Sequence, residues 1–292
     1  MSYEETEVAG PDGRTLDVST LGDPEGITVV FHHGSPGAAN IIQYFDGIAD
    51  SRGLFFVGVS RPGYGESSRQ IGRTVSSVVA DVHAALDALG RTDYLSVGWS
   101  GGGPHSLACA ALGAPRCRAA WSLAGVVPID VDFDWTQGMG PENVEEFKLA
   151  REGGPKYEES MVEAGRLFGA ASAENVVELF GGLLSAPDLT ALTEYDSRAL
   201  LASTTVRGFA RGHWGFYDDD RAMLSPWGFD VASITVPVAI WYGDQDLMVP
   251  PTHGAWLSEH VPGSRVIHRP DEGHISLVTN HIEELADELV SA

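Results

Sequence analysis

The chain has 292 residues, 43% of them hydrophobic, enough to bury a sizeable core as one α/β domain with an insertion or as two domains. Its formal net charge is -23, and only Lys148 and Lys156 are lysines, the other basic residues being arginine. Such a surface repels nucleic acid and anionic lipid, so neither is an expected partner; a small-molecule substrate is, and monomer or homo-oligomer stays open. The opening segment MSYEETEVAGPDG is acidic with no apolar stretch, and no apolar run reaches the roughly 18 to 20 residues of a membrane span, so a cytoplasmic location is expected.

In chain order, apolar runs and their punctuation predict strands at residues 4–9, 15–21, 28–31, 55–60, 94–97 and 119–124. The turn residues Gly10-Pro11-Asp12-Gly13 make a hairpin of the first two. Helical periodicity falls at 39–51, 75–89 and 101–112. Residues 128–233 lack β-branched alternation and carry amphipathic segments at 143–151, 157–168 and 174–184, broken at Gly153-Gly154 and Gly181-Gly182. They read as a helical cap between a first core part, 1–127, and a second, 234–292. Strands return at 238–242 and 265–268, with helices at 253–260 and 275–290. Alternation of strands and helices predicts a mostly parallel sheet covered on both faces.

The most informative run is Tyr94 to Pro104, in which a strand enters Gly98-Trp99-Ser100-Gly101-Gly102. A strand that reverses sharply into a helix needs small neighbours, and it exposes the serine at the tip of the turn. The helix that follows aims free amides at any oxyanion forming beside Ser100. A serine nucleophile also needs a base and a carboxylate that orients the base. The loop Gly243-Asp244-Gln245-Asp246 after an apolar strand offers Asp246, with Asp244 as the alternative. His274, in the loop Asp271-Glu272-Gly273-His274, is the base candidate; His268 lies within a strand and His281 within a helix. The glycine-rich loop His33-Gly34-Ser35-Pro36-Gly37 closes another strand, and the N–H groups of Ser35 and Gly101 are the expected oxyanion donors. Adjacent His32 and His33 point to opposite faces of a strand end and suit packing and hydrogen bonding better than one shared ion. Cys109 and Cys117 read as buried reduced thiols. Neither a CxxC pair nor an HExxH helix occurs, so no metal site and no cofactor are expected.

On these motifs the chain resembles the α/β-hydrolase superfamily along nearly its whole length: HHGSPG at 32–37, RPGYGES at 61–67, GWSGG at 98–102, YGDQDLMVP at 242–250 and EGH at 272–274. The resemblance implies an α/β-hydrolase fold, with a mostly parallel eight-stranded sheet flanked by helices and a helical cap inserted after the sixth strand. It also implies Ser100, Asp246 and His274 as the catalytic triad. Serine at position 100 argues against the relatives with an aspartate nucleophile. Two positions depart from the pattern: Arg61 stands where aspartate is common, and Gly101 where a larger residue is common, which would loosen the pocket near the oxyanion. The HGSPG loop is also similar to that of proline iminopeptidases, though Trp99 here precedes the serine rather than following it.

The function expected is cleavage of a carboxylic ester through an acyl-enzyme on Ser100. The same triad suits an aminopeptidase, a lactonase or a carbon–carbon bond hydrolase, and a perhydrolase would use the same serine. A non-catalytic ligand-binding scaffold is the reading from another class. Trp99, Trp135, Phe168, Trp214, Phe216 and Tyr217 are candidate substrate-binding residues, with Phe147 beside them. The run Asp218-Asp219-Asp220 reads as a solvated loop, with capture of a substrate amine as the functional alternative.

Overall fold

A computed structural model describes residues 3–292. Eight strands, β1 (Glu4–Ala9), β2 (Thr15–Gly22), β3 (Ile27–His32), β4 (Leu54–Val59), β5 (Tyr94–Trp99), β6 (Cys117–Leu123), β7 (Val238–Gly243) and β8 (Arg265–Arg269), form one sheet. Their order is β1-β2-β4-β3-β5-β6-β7-β8. Only β2 runs against the others: it pairs antiparallel with β1 and β4, and every remaining pairing is parallel. The hairpin at Gly10 to Gly13 sets Ala9 opposite Thr15, with Asp12 and Gly13 at positive φ.

The strands are apolar almost throughout because both faces of the sheet are covered. Val30 faces a core shared with Val82 of helix α2 (Val78–Ala88) and Leu107 of α3 (Gly102–Leu112). Its neighbours Val29 and Phe31 face the opposite core, which holds Ala49 of α1 (Ile48–Arg52). Between β6 and β7 stand α4 (Pro141–Glu152), α5 (Pro155–Phe168), α6 (Val176–Phe180), α7 (Ala186–Ala191), α8 (Tyr195–Gly208) and α9 (Trp214–Met223). After β7 come α10 (Pro251–His260), α11 (Ser276–Thr279) and α12 (Ile282–Val290), the last sealing the second core with Leu285 and Leu289.

The strand expectations hold to within two residues at each end. Helices differ more. The periodic run 39–51 is a tight 3-10 segment, Ala39–Phe45, followed by α1, because Gly47 at φ 75 interrupts it. Gly181, at φ 51, likewise ends α6. The run 275–290 is split into α11 and α12. Asp218, Asp219 and Asp220 are not a solvated loop: they lie in α9 and all three are buried. Charge in a sequence carries no sign of the cations that will meet it, and Arg61, Arg69 and Arg73 arrive from a distant core loop. Both cysteines are buried and unpaired. Among the described residues no helix is long and apolar enough to cross a membrane.

Candidate active site

The reversal after β5 places Ser100 at φ 59, a left-handed conformation that a residue with a side chain rarely adopts and that persists only where its surroundings enforce it. Its N–H donates to the Leu123 carbonyl at 2.8 Å, and its carbonyl accepts from Gly103 at 2.8 Å. The flanking glycines are required by contact. A Cβ at Gly98 would lie 2.1 Å from the Gly102 carbonyl oxygen, and one at Gly102 would lie 2.1 Å from the His32 carbonyl oxygen.

Asp246 and His274 come together from the loops after β7 and β8. The Nδ1 of His274 meets Oδ2 of Asp246 at 2.7 Å, and both side chains are buried. The second oxygen of Asp246 accepts from the N–H groups of Met248 and Val249, each at 2.8 Å, so one carboxylate oxygen is reserved for the imidazole. Asp244 instead meets His268 at 2.7 Å on the surface, and His281 meets Glu272 at 2.9 Å. Ser100 and His274 line one narrow cavity of about 40 Å³ with Gly34, Ser35 and Trp99. Trp99 stacks on the His274 ring at 5.8 Å and donates from its indole N–H to the His274 carbonyl at 3.2 Å.

Burial works to lower the His274 pKa, but the charge and hydrogen bond of Asp246, with a further contribution from Asp188, hold it above the ordinary histidine value. Asp188 is a residue that sequence reasoning missed. It sits in α7, between β6 and β7, fully buried, and accepts from the backbone N–H groups of Ile275 at 2.8 Å and Ser276 at 3.0 Å. Its other oxygen accepts from the Ser185 hydroxyl at 2.9 Å. The only local signal was the capping pattern Ser185 to Asp188, which says nothing about the histidine loop.

The loop after β3 packs against the start of α3. A Cβ on Gly101 would lie 2.4 Å from the Ser35 hydroxyl oxygen and 3.4 Å from the Ser35 nitrogen, so the backbones of the two expected oxyanion donors are neighbours. Glycine at 101 therefore does not leave the pocket loose, as expected from sequence, because the Ser35 side chain takes up the space. That hydroxyl donates to Asp219 at 2.5 Å and accepts from Arg61 at 3.1 Å. Arg61 also donates to the carbonyls of His33 at 2.6 Å and Gly34 at 3.0 Å, and Asp219 is shared between Arg61 at 2.6 Å and Arg73 at 2.5 Å. Burial would raise the Asp219 pKa, yet the two guanidinium groups hold it well below the carboxylate range. An aspartate of α9 and two arginines from the segment between β4 and α2 thus clamp the loop that carries Ser35. His33 is kept neutral by burial and by Arg61; it accepts at Nε2 from the Arg61 N–H and donates from Nδ1 to Gly34, which fixes its tautomer. On the opposite side, His32 meets Ser96 at 3.0 Å.

A second cavity of about 60 Å³ opens beside Ser35, Ser100 and Gly101, and Phe147, Phe168 and Phe216 line it. Trp99 borders the first cavity. The other candidates do not line either. Trp135 is core, its indole donating to the Val127 carbonyl at 2.9 Å beneath Phe147. Trp214 lies under the Arg69 guanidinium at 3.7 Å, edge-on to Tyr217. Sequence reasoning missed Phe180 and Met248, which border both cavities, and Glu146, which borders the second; Asp220, read from sequence as part of a solvated acidic run with amine capture as the alternative, borders the second as well. A larger hollow of about 1040 Å³ lies by Arg118, Pro237 and Arg265, at the amino ends of β6, β7 and β8. Ligands of open parallel sheets bind at the carboxyl ends of the strands, where Ser100, Asp246 and His274 are.

Residues 27–151 match the family model described as the alpha/beta hydrolase fold. A non-heme chloroperoxidase from Streptomyces lividans is 30% identical over 150 residues, 49% of this chain and 53% of that protein, so the match spans about half of the relative's length. Among solved structures, the chain is similar to a bromoperoxidase from Bacillus anthracis, with a TM-score of 0.72 at 20% identity over 99% of each chain. An esterase from Exiguobacterium antarcticum follows at 0.69 and 19%, over 99% of this chain and 98% of that one. An enol-lactonase from Burkholderia xenovorans LB400 gives 0.68 at 16%, over 98% of this chain and all of the other, 100%.

Proposed function

We propose that this chain is a serine hydrolase of the α/β-hydrolase superfamily that cleaves carboxylic esters. The observation that carries the reading is the buried 2.7 Å pair of His274 and Asp246, whose histidine borders the same cavity as the strained Ser100. In this reading the Ser100 hydroxyl attacks the ester carbonyl while Nε2 of His274 takes its proton. Asp246 keeps the other ring nitrogen protonated and stabilises the imidazolium. The N–H groups of Ser35 and Gly101 receive the oxyanion, each worth roughly 3 kcal/mol of barrier. The alcohol leaves with the proton from His274, and water, deprotonated by the same ring, releases the acid from Ser100.

The two cavities bordering Ser100 each hold about one or two waters' worth of space, against the roughly 300 Å³ or more of a drug-sized ligand site. Short acyl groups fit without displacing the cap. The expected outcome of a p-nitrophenyl ester series from acetate to decanoate is a maximum at the short end, with Ser100→Ala reducing turnover by at least about 10⁴-fold while leaving the melting temperature near that of the parent. Wild-type turnover in the variant would remove Ser100 from the mechanism.

A second reading is favoured by the likeness to a chloroperoxidase. Hydrogen peroxide in place of water would take the acyl group from Ser100 and leave as a peracid. Incubation with acetate and peroxide, assayed for peracetic acid in parent and Ser100→Ala, separates the two.

A further inference from the structure

The second cavity contains a feature that ester cleavage does not use. Its wall is apolar, formed by Phe147, Phe168, Phe216 and Met223 among others, yet two carboxyl groups face it, Glu146 from α4 and Asp220 from α9. Asp220 is fully buried. Its Oδ2 accepts from the Tyr157 hydroxyl at 2.9 Å, whereas its Oδ1 is buried and has no hydrogen-bond partner. An orphaned carboxylate oxygen in an apolar wall costs roughly 1 to 3 kcal/mol or more, a cost the fold bears only where something else is gained. No charged neighbour bonds to it: Arg73 places its Nη1 on Asp219 and its Nη2 on the Gly215 carbonyl, its Nε being buried without a partner, and Arg69 is held by Asp218.

Burial and the charge of Asp220 hold Glu146 well above the carboxylate range. Burial and Asp219 do the same to Asp220, against Tyr157 and Arg73. The pair therefore keeps a proton that a cation entering the cavity would displace. A neutral hydroxyl supplies one donor. A primary ammonium supplies three, and it also compensates the second charge that the pair gains on losing its proton.

We infer that Glu146 and Asp220 form a subsite for a basic amine, so that the substrate is an ester carrying a primary amine close to the scissile carbonyl. This rests on the reading of Ser100 as nucleophile for the word ester, but the subsite itself does not need turnover. Ethylammonium and ethanol have the same heavy-atom count and suit a cavity of about 60 Å³. Their binding to Ser100→Ala is measured by ligand-observed NMR at neutral pH. Ethylammonium is expected to bind at least about tenfold more tightly than ethanol, and binding in buffers of different ionisation enthalpy should report release of about one proton. Glu146→Gln should abolish the preference; Asp220→Asn on the same background gives a second test. Equal binding of the two probes, tighter binding of ethanol, no binding of either, or a preference that survives both substitutions overturns the subsite. Because the binding is read in the absence of a nucleophile, failure of the ester reading shows separately, as turnover that survives Ser100→Ala.

Discussion

At His274 three influences compete, and under the proposed mechanism their balance sets the pH range in which Ser100 has a base. Burial favours the neutral ring, but the adjacent Asp246 and the more distant Asp188 favour the cation and prevail. Only the neutral ring can take the serine proton. The acid limb of kcat/KM is therefore expected above the ordinary histidine value of about 6.5, with activity falling as pH drops through it. The same shift means that the pair stabilises the fold fully below about 6.5 and loses that contribution as pH rises through the folded-state value. Asp246→Asn should cut kcat by about 10⁴-fold and move the acid limb downward. A pH–rate profile that keeps its midpoint in this variant would show that Asp246 does not set the titration.

The helices between β6 and β7 reach the candidate site directly. Helix α7 reaches the histidine loop through Asp188, and α9 reaches the Ser35 loop through Asp219, so both loops are held by residues of the helices between β6 and β7. Asp219 is enclosed with Arg61 and Arg73, and truncating one partner of such a group leaves buried charge without compensation. Asp219→Asn is expected to lower unfolding free energy by about 3 to 5 kcal/mol in urea denaturation at pH 7, and to lower kcat more than it raises KM, since the Ser35 amide would lose its clamp. The stabilisation belongs to the ionised carboxylate. It is present above the unfolded value of about 3.9 and is lost as pH falls through the lower folded value. An unchanged urea midpoint would mean that the cluster relaxes without cost. These elements also mark the limit of periodicity. α7, α8 and α9 were not delineated from sequence because buried aspartates and short turns erase the polar-out pattern on which the reading depends.

Across the whole molecule, 41 acidic residues face 18 basic ones. Several of the basic groups are committed to buried or half-buried pairs, including Arg61, Arg73, Arg14 with Asp81, and Arg207 with Asp17, which leaves the surface strongly negative. Self-repulsion of surface carboxylates is screened by salt over a Debye length of about 10 Å at 0.1 M, whereas the enclosed pairs are little affected. The melting temperature at pH 7.5 is accordingly expected to rise by a few degrees between about 10 mM and 0.5 M sodium chloride. A fall with salt would assign more of the stability to exposed ion pairs than to the cores.

What the chain determines locally is legible in the sequence alone: near-continuous apolar strands because both sheet faces are buried, the hairpin at Gly10 to Gly13, and glycines on both sides of Ser100 because the elbow leaves no room for Cβ atoms. Each of these is a constraint between neighbours in sequence, so composition and spacing record it. The meeting of Asp246 with His274 rather than with His268, the filling of the space at Gly101 by Ser35, and the burial of Asp188, Asp219 and Asp220 were decided only by tertiary structure. An aspartate on α7 or α9 looks like solvent-facing charge until an arginine or a backbone amide from a loop some 90 to 160 residues away is folded against it. The energy of a charge depends on what surrounds it, and those surroundings are assembled from parts of the chain that share no local pattern.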